Sequence, residues 1–564
     1  MKTGKRNGVI AFIMTLSLSA MAQNSNWVDH YNSGNNYDHG YDVHLGGDGR
    51  IYMGGQAGTS SGSQDALVKS YTTMGVTNWT DTYNGSGNSA DYVNAITTYG
   101  SGSGTIIYAT GTANVSGNGQ DMLLLKYTQS GTRTVVTLNS SGSFPDYGNH
   151  ILVDGSGNIY IAGTSFGASG GTDIKVWKYS SALVLQNTYT YNAAGTQTES
   201  VDEMKLDATG SYLYLTGRTE ISASNHDAVL IKLSTSGLVQ QWAQTWNNSA
   251  ANNIDQAYSL YIASTGDVFA CGKTYVNSTN KYDGLILWYT SGGTLTNAIT
   301  WNNSSHNLDD FFRSIGTTTI AGTTCVYVCG STYYDPSANP CDVNMITIKY
   351  TVSGSSLTLN WSDEYDAVPN IQCPSYEEGI QLIISSQTGK IHVGGYVTGQ
   401  LEDYCAIRYS TTGTREVIKT FNRSNSNDRV ALKYPMELEY SGCWGGDNII
   451  LTGFTTNTSQ WDATTIKWYN LGSCARVIGG MAESSMVYPN PFKENAVLHI
   501  AGDYNLENST LEIYDMYGKL VYSHTGFSTT DITITGKGLA SGMYFYQLHD
   551  PNVKIASGKF ILAD

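Results

Sequence analysis

Eight acidic residues recur along the chain, each just ahead of an apolar run: Asp38, Asp91, Asp146, Asp202, Asp255, Asp310, Glu377 and Asp428. Carboxylates gathered from separate segments make an oxygen-rich ring that suits a hard cation or a basic ligand. Asp38, Asp91, Asp146, Asp255 and Asp310 are the metal candidates on this reading, and calcium is the cation they would take. The other reading of short acids at such positions is that each caps a turn by accepting neighbouring backbone N–H groups. The turn Asp154-Gly155-Ser156-Gly157-Asn158 resembles a calcium loop but lacks the distal Glu of the EF type, so it reads as a hairpin turn. The ten histidines are scattered without HExxH, and no GxSxG elbow or Walker loop supports a hydrolase or nucleotidase. The neighbouring acids Asp309-Asp310, Glu377-Glu378 and Glu402-Asp403 would point to opposite faces of a strand. Glycoside hydrolysis needs two carboxyls facing across a cleft, so these pairs suit it poorly. The sequence thus assigns no catalytic and no cofactor-binding residue.

The elements that must position these acids are repeats. A short apolar strand ends at Tyr71, Tyr127, Tyr179, Leu233, Tyr289, Tyr350, Tyr409 and Trp468, at spacings of 52 to 61 residues. Six residues before each end stands Asp65, Asp121, Asp173, Asp227, Asp283, Asn344, Asp403 or Asp462. Ahead of it lies a β-branched and aromatic run that closes on Gly55, Gly111, Gly163, Gly217, Gly272, Gly330, Gly395 or Gly453. Such a run followed by glycine predicts a strand ending where backbone must bend or pack closely. With a weaker preceding run and a Trp- or Tyr-bearing run such as Trp79–Tyr83, each repeat holds four short strands, here lettered A to D. Four antiparallel strands per repeat of this length predict a β-propeller blade. Complete A-B-C sets number eight, but the first D run, at Trp27–Tyr31, precedes the first A, and the last C has no D after it. The expected closure is that Trp27–Tyr31 supplies the outer strand of the last blade, joining the two ends of the ring. Strand C is apolar on both sides, as Met122, Leu123, Leu124 and Leu125 show, which fits a strand covered by neighbouring blades on both faces.

The 564 residues carry 62 Gly and 41 Tyr, only 13% charged residues, and a net charge of −16. That surface repels nucleic acid, and no basic stripe offsets it. Lys2, Lys5 and Arg6 ahead of an apolar stretch and Ala20-Met21-Ala22 predict a signal peptide over 1–22, cleaved after Ala22. No later run is apolar and long enough for a transmembrane segment. The protein is therefore expected outside the cytoplasm, secreted or on the outer-membrane surface after periplasmic export. All eight cysteines lie between Cys271 and Cys474. Cys271 and Cys329 read as small core residues, while Cys341, Cys373, Cys443 and Cys474 fall in loop-like sequence and are candidates for bridges.

After Cys474 the repeat stops. A small-residue linker spans 475–485, and the last eighty residues hold fresh strands. They contain VYPNPF with Pro489, Asn490 and Pro491, IYDMYGKLV with Asp515 and Gly518, LASGMYFYQL with Gly542 and Tyr544, and GKFIL with Gly558 and Lys559. This stretch, about 486–564, resembles the type A C-terminal sorting domain of the type IX secretion system of Bacteroidetes. The resemblance implies an immunoglobulin-like β-sandwich and the type IX machinery as partner. It also implies carriage across the outer membrane, with release or surface attachment to follow. Residues 27–474 resemble a beta-propeller repeat family, which implies a fold but no common activity. Gly75 to Trp79 also resembles the docking motif of quinoprotein propellers, but the Cys-Cys pair those enzymes often carry is absent and the Trp is missing from several repeats.

The expected architecture is all-β: an eight-bladed propeller over 23–474 followed by the small sandwich. The function expected of it is a non-enzymatic binding or adhesion scaffold for extracellular glycan or protein. The alternative is a polysaccharide-acting hydrolase or lyase with its site on one propeller face.

Overall fold

The computed structural model describes residues 25–35, 37–140, 144–167, 170–193, 197–222, 225–249, 251, 253–277, 282–305, 308–334, 342–367, 375–398, 402–423, 427–431, 434–440, 447–457, 460–468, 485–488, 490–500, 506, 509–515, 519–529, 531–549 and 554–563. Two compact units result, residues 1–439 with 449–469 and residues 440–448 with 470–564. Among the described residues the fold is almost wholly strand, with a single short 3₁₀ turn at Gly102–Gly104.

The first unit contains eight sheets, each running A-B-C-D antiparallel in sequence order except the last, and blade 6 adds the short strand Ser375–Tyr376, paired parallel to its strand C. Blade 1 is His39–Leu45, Ile51–Gly58, Gln64–Tyr71 and Thr77–Tyr83, and blade 2 is Tyr92–Tyr99, Ile106–Val115, Gly119–Thr128 and Arg133–Leu138. Blades 3 to 7 repeat this pattern, starting at Asp146, Glu199, Gln256, Asp310 and Glu378. This is the eight-bladed propeller expected from the repeats. In blade 7, strand D is Arg415–Phe421. In blade 8, strand A is interrupted: Asp428–Val430 and Met436–Tyr440 both pair with Asp447–Asn457, which pairs in turn with Gln460–Trp468. The outer strand of that sheet is Ser25–Tyr31, paired antiparallel to Gln460–Trp468 with Val28 opposite Ile466 and Tyr31 opposite Ala463.

The hydrophobic core follows the ring rather than a single centre. Eight buried clusters each join one pair of neighbouring blades, blade 8 to blade 1 included. Strand C of blade 2 shows why its sequence is apolar throughout. Leu123 and Leu125 pack against Tyr52 and Val68 of blade 1, while Met122 and Leu124 pack against Ile159 and Trp177 of blade 3. Each such side chain, at 0% exposure, contributes about 1.5–3 kcal/mol. The glycine ending strand B is required by close approach: a Cβ on Gly163 would lie 1.7 Å from the Tyr147 carbonyl oxygen.

The polar residues of strand C are also parts of the frame. Asp121 accepts a hydrogen bond from Asn139 (3.1 Å), Asp173 from Asn192 (2.7 Å) and Asp403 from Asn422 (2.6 Å), tying the head of C to the end of D. The lysines before the last residue of the C repeat reach the next blade: Lys126 donates to the Ser181 carbonyl, Lys178 to Thr235, Lys232 to Ser291, Lys349 to Thr411 and Lys467 to Thr73. The tyrosines reach back to the previous blade, with Tyr71, Tyr127 and Tyr409 donating to Asp29, Asp81 and Asp363. Trp27, Trp79, Trp242 and Trp361 lie on strands D, and their indole N–H groups donate to Thr73, Gln129, Ser291 and Thr411 in the C–D turn of the following blade. Cys271 and Cys329 are buried free thiols in this core, as their position before the glycine suggests. Cys325 and Cys405 are likewise free and buried; Cys341, Cys373, Cys443 and Cys474 lie outside the described residues.

The second unit is a small β-sandwich. One sheet is Ser485–Tyr488, Asn495–Ile500 and Asp531–Thr535, and the other is Leu520–Thr525, Thr510–Asp515, Gly542–His549 and Lys554–Leu562. Their inner faces share one core, with Leu498, Leu548 and Phe560 at 0% exposure. The sequence blocks sit at structural junctions. Asn490 accepts the Ile561 N–H at 2.9 Å, which ties the first block to the last strand. Asp515 accepts the Lys519 N–H at 3.0 Å across a turn. Tyr544 stacks on Phe560 at 5.5 Å and donates to the Ala540 carbonyl at 2.6 Å. Gly542 opens the third of these strands, opposite Leu562, and Gly558 and Lys559 pair with Tyr546 and Phe545. Ala22, Pro489, Gly518 and residues 475–484 of the linker lie outside the described residues.

Candidate binding face

The recurrent acids mark one end of every strand A. In seven blades they are the residues expected, namely Asp38, Asp91, Asp146, Asp255, Asp310, Glu377 and Asp428. Blade 4 differs. Val201 stands opposite Gly217, so Glu199 occupies the equivalent place and Asp202 lies three residues further along the strand. All eight carboxyl-bearing residues are buried, at 0–1% exposure. Their oxygens take backbone N–H groups from the D–A loop and donors at the end of strand B. Asp38 accepts from Ser33 (2.8 Å) and Gly58 (2.7 Å), and Asp91 from Gly85 (2.8 Å) and Asn114 (2.5 Å). Asp146 accepts from Ser140 (2.5 Å), Asp255 from Asn248 (2.9 Å) and the Thr274 hydroxyl (2.6 Å), and Asp310 from Asn303 (2.9 Å). Burial pushes Asp91 up to about 6 and Asp310 to about 7, and raises Asp38, Asp255 and Glu199 as well. In this geometry the acids fasten the loops of one face to the blades.

That face is where the blades stop being alike. Strand A of blades 1 to 7 carries a bulge directly after the residue opposite the strand-B glycine. The bulged residues are Tyr41, Asn94, Asn149, Asp202, Tyr258, Arg313 and Ile380. A bulge leaves its residue unpaired and re-aims its side chain. Asp202, Tyr258, Arg313 and Ile380 line a cavity of ≈ 670 Å³ between the A strands of blades 4 to 7. The residue following the strand-B glycine varies equally, from Gln56 and Thr112 to Arg218, Lys273, Tyr396 and Phe454.

Two polar arrangements stand out there. Across blades 6 to 8, Arg313 donates to Glu378 (2.5 Å), Tyr396 donates to Glu378 (2.8 Å), and Arg429 donates to the Tyr396 hydroxyl (2.7 Å). Between blades 8 and 1, His39 stacks on Phe454 at 4.6 Å and on Trp461 at 4.7 Å, and burial holds its imidazole down to about 4. The interrupted strand A of blade 8 sends Tyr434 into the cavity, where its hydroxyl meets His150 Nδ1 of blade 3 at 2.9 Å. Its backbone bridges Asp42 of blade 1. One tyrosine of blade 8 thus touches both blade 1 and blade 3.

Neither Asp309-Asp310 nor Glu377-Glu378 faces its partner across a cleft. Asp309 accepts the Tyr282 N–H (3.1 Å) while Asp310 is buried under the D–A loop, and Glu378 is engaged by Arg313 while Glu377 is buried. Among the described residues, no three His, Cys, Asp or Glu side chains are grouped as a metal would need. The sequence reading missed Arg218, Lys273, Arg313 and Tyr434. The signal that finds the first three is departure from the repeat at positions next to the strand-B glycine or at the bulge.

Residues 486–563 match the family model of a secretion system C-terminal sorting domain, and residues 141–169 match a beta-propeller repeat. The sorting domain implies export to the cell surface or secretion, with the secretion machinery as partner. No curated protein matches the chain. Among solved structures, the chain is similar to PorZ, a surface component of the type-IX secretion system of Porphyromonas gingivalis, at 13% identity over 92% of this chain and 68% of that one, with a TM-score of 0.39. It is similar to quinohemoprotein alcohol dehydrogenase from Comamonas testosteroni at 10% identity over 83% and 78%, TM-score 0.46. The beta-propeller domain of the Trilobed protease from Pyrococcus furiosus follows at 7% identity over 67% and 98%, TM-score 0.34.

Proposed function

We propose that this chain is an exported propeller that binds an extracellular macromolecule, glycan or protein, on the acid-capped face, and that it does so without catalysis. On this reading a signal peptide over 1–22 takes it to the periplasm and the type IX machinery carries it to the outer surface. The observation that supports the binding role is the distribution of differences. Strands B and C and their latches repeat from blade to blade, whereas the bulged residues and those after the strand-B glycine vary in charge and aromaticity. A scaffold held constant beneath a varied face is the arrangement of a recognition surface. Glycan-array and pull-down screening of the secreted protein should return a ligand. Turnover of a polysaccharide in an activity profile, with no ligand retained, would replace this reading with that of a hydrolase or lyase.

A further inference from the structure

Three cations, Arg218, Lys273 and Arg313, lie on the acid-capped face of blades 4 to 6, and Arg313 also lines the cavity, in a chain whose net charge is −16. Arg218 and Lys273 occupy the same place in adjacent blades, each directly after the strand-B glycine and opposite Ser200 and Gln256 of strand A. Arg313 is the bulged residue of blade 6. Arg313 has a carboxylate partner in Glu378 at 2.5 Å. The other two differ. Arg218 Nε is buried with no hydrogen-bond partner, and Lys273 has no hydrogen-bond or carboxylate partner among the described residues, only the rings of Tyr282 (4.3 Å) and Phe311 (5.2 Å) beneath it. Burial and the two arginines hold the Lys273 ammonium down to about 8, outweighing the pull of Asp309 and Asp202. Half-buried cations that repel one another, with no carboxylate in ion-pair contact with Arg218 or Lys273 among the described residues, cost stability. A fold dominated by acids has every means to pair them and here does not.

The surroundings say what kind of anion. Tyr258 lies 4.7 Å under Arg313, Tyr282 and Phe311 are 5.9 Å apart, and Tyr333 meets Phe311 edge-on at 5.7 Å. Partly exposed aromatic rings offer apolar faces with polar tips, which suits the C–H face and hydroxyls of a sugar ring. We propose that Arg218, Lys273 and Arg313 form a subsite for the carboxylate or sulfate of an anionic glycan, with Tyr258, Tyr282 and Phe311 flanking the sugar. This rests on the binding role proposed above and names its ligand class.

The test is titration of the full-length secreted protein, and of its Arg218→Gln, Lys273→Gln and R218Q/K273Q variants, with four probes. These are oligogalacturonate, chondroitin sulfate oligosaccharide, neutral maltohexaose and poly-glutamate. Binding of oligogalacturonate or chondroitin sulfate, weakened about tenfold or more in each single variant and untouched by Lys419→Gln on an outer strand, is the result expected; which of the two binds identifies carboxylate or sulfate. The melting temperature of the ligand-free variants should stay level or rise, since each loses an uncompensated charge. A fall in melting temperature with no change in affinity would assign the cations a structural role and overturn the subsite. Equal binding of maltohexaose by wild type and variants would overturn the subsite but leave the glycan reading intact. Binding of poly-glutamate alone would make the partner an acidic protein, and binding of no anionic probe would overturn the subsite outright.

Discussion

Replacing Asp29 by alanine should loosen the seam that closes the ring. Asp29 lies on the strand Ser25–Tyr31, and its Oδ2 accepts from Lys69 Nζ at 2.5 Å and from the Tyr71 hydroxyl at 2.9 Å. Both partners belong to strand C of blade 1, so the carboxylate fastens the borrowed strand of blade 8 to its neighbour. The Lys69 side chain is 5% exposed and that of Asp29 23%. Removing the acid leaves an ammonium in a nearly dry site with only the rings of Tyr31 and Tyr71, 5.1 and 5.0 Å away, for company. Breaking a buried pair from one side costs about 3–5 kcal/mol, and the partial exposure of Asp29 points to the lower end. For a ring of this size roughly 1 kcal/mol corresponds to 1 °C, so calorimetry should show the propeller transition about 3 °C lower. Adding Lys69→Met to Asp29→Ala should recover at least half of that loss, because an apolar pair removes the stranded charge. A chain starting at Asn35 lacks the strand altogether and should melt far lower still. The reasoning fails if D29A melts with wild type, if the double variant merely adds the two single losses, or if loss of the strand leaves the transition unmoved.

The remaining predictions concern the frame and its acids. Gly163→Ala forces a methyl to within 1.7 Å of the Tyr147 carbonyl oxygen, so strands A and B of blade 3 must separate; loss of soluble protein or a drop of several degrees in melting is expected, and wild-type melting would contradict it. Burial holds Asp42 up to about 8, Asp310 to about 7 and Asp91 to about 6. These groups keep their protons more tightly folded than unfolded, so the stability they contribute at acid pH is lost progressively as pH rises from about 4 to their folded values of about 6 to 8. His30 and His39, held down to about 4 by burial, act oppositely and remove stability as pH falls from about 6.5 to 4. Above about pH 6.5 the histidines no longer titrate and Asp42 and Asp310 still do, so the melting temperature should fall from about pH 6.5 to 8, and a steady rise over that range would refute the assignment. Because the carboxyl oxygens at the head of strand A already accept backbone N–H groups, millimolar calcium should leave melting unchanged; an upward shift of several degrees would restore the cation ring.

The frame is legible because it repeats. Strand C can be recognised from its unbroken apolar run, and the strand count requires Trp27–Tyr31 to lie beside Gln460–Trp468. The acids are legible as a series, but spacing misplaces one of them. Asp202 is the nearest aspartate by spacing, whereas pairing of Val201 with Gly217 makes Glu199 the equivalent, and only the register reveals that. The ring of carboxylates that spacing suggests is a set of loop fasteners, since a period along the chain does not say whether a side chain faces a channel or folds under its own loop. The bulge in strand A is invisible for a related reason: it depends on which partner residue is skipped, not on residue type. Tyr434 escapes a reading of the sequence because its contact with His150 spans 284 residues and arises where blade 8 departs from the repeat.

Where function sits on the ring is open to direct measurement. Hydrogen exchange of the full-length protein, with and without the ligand recovered from screening, reports which backbone amides a bound partner covers. Slowed exchange is expected at the starts of strands A and the ends of strands B, around Arg218, Lys273 and Arg313, with the A–B hairpins such as Asp154–Asn158 unchanged. Slowed exchange at those hairpins, with the acid-capped face unaffected, would contradict it.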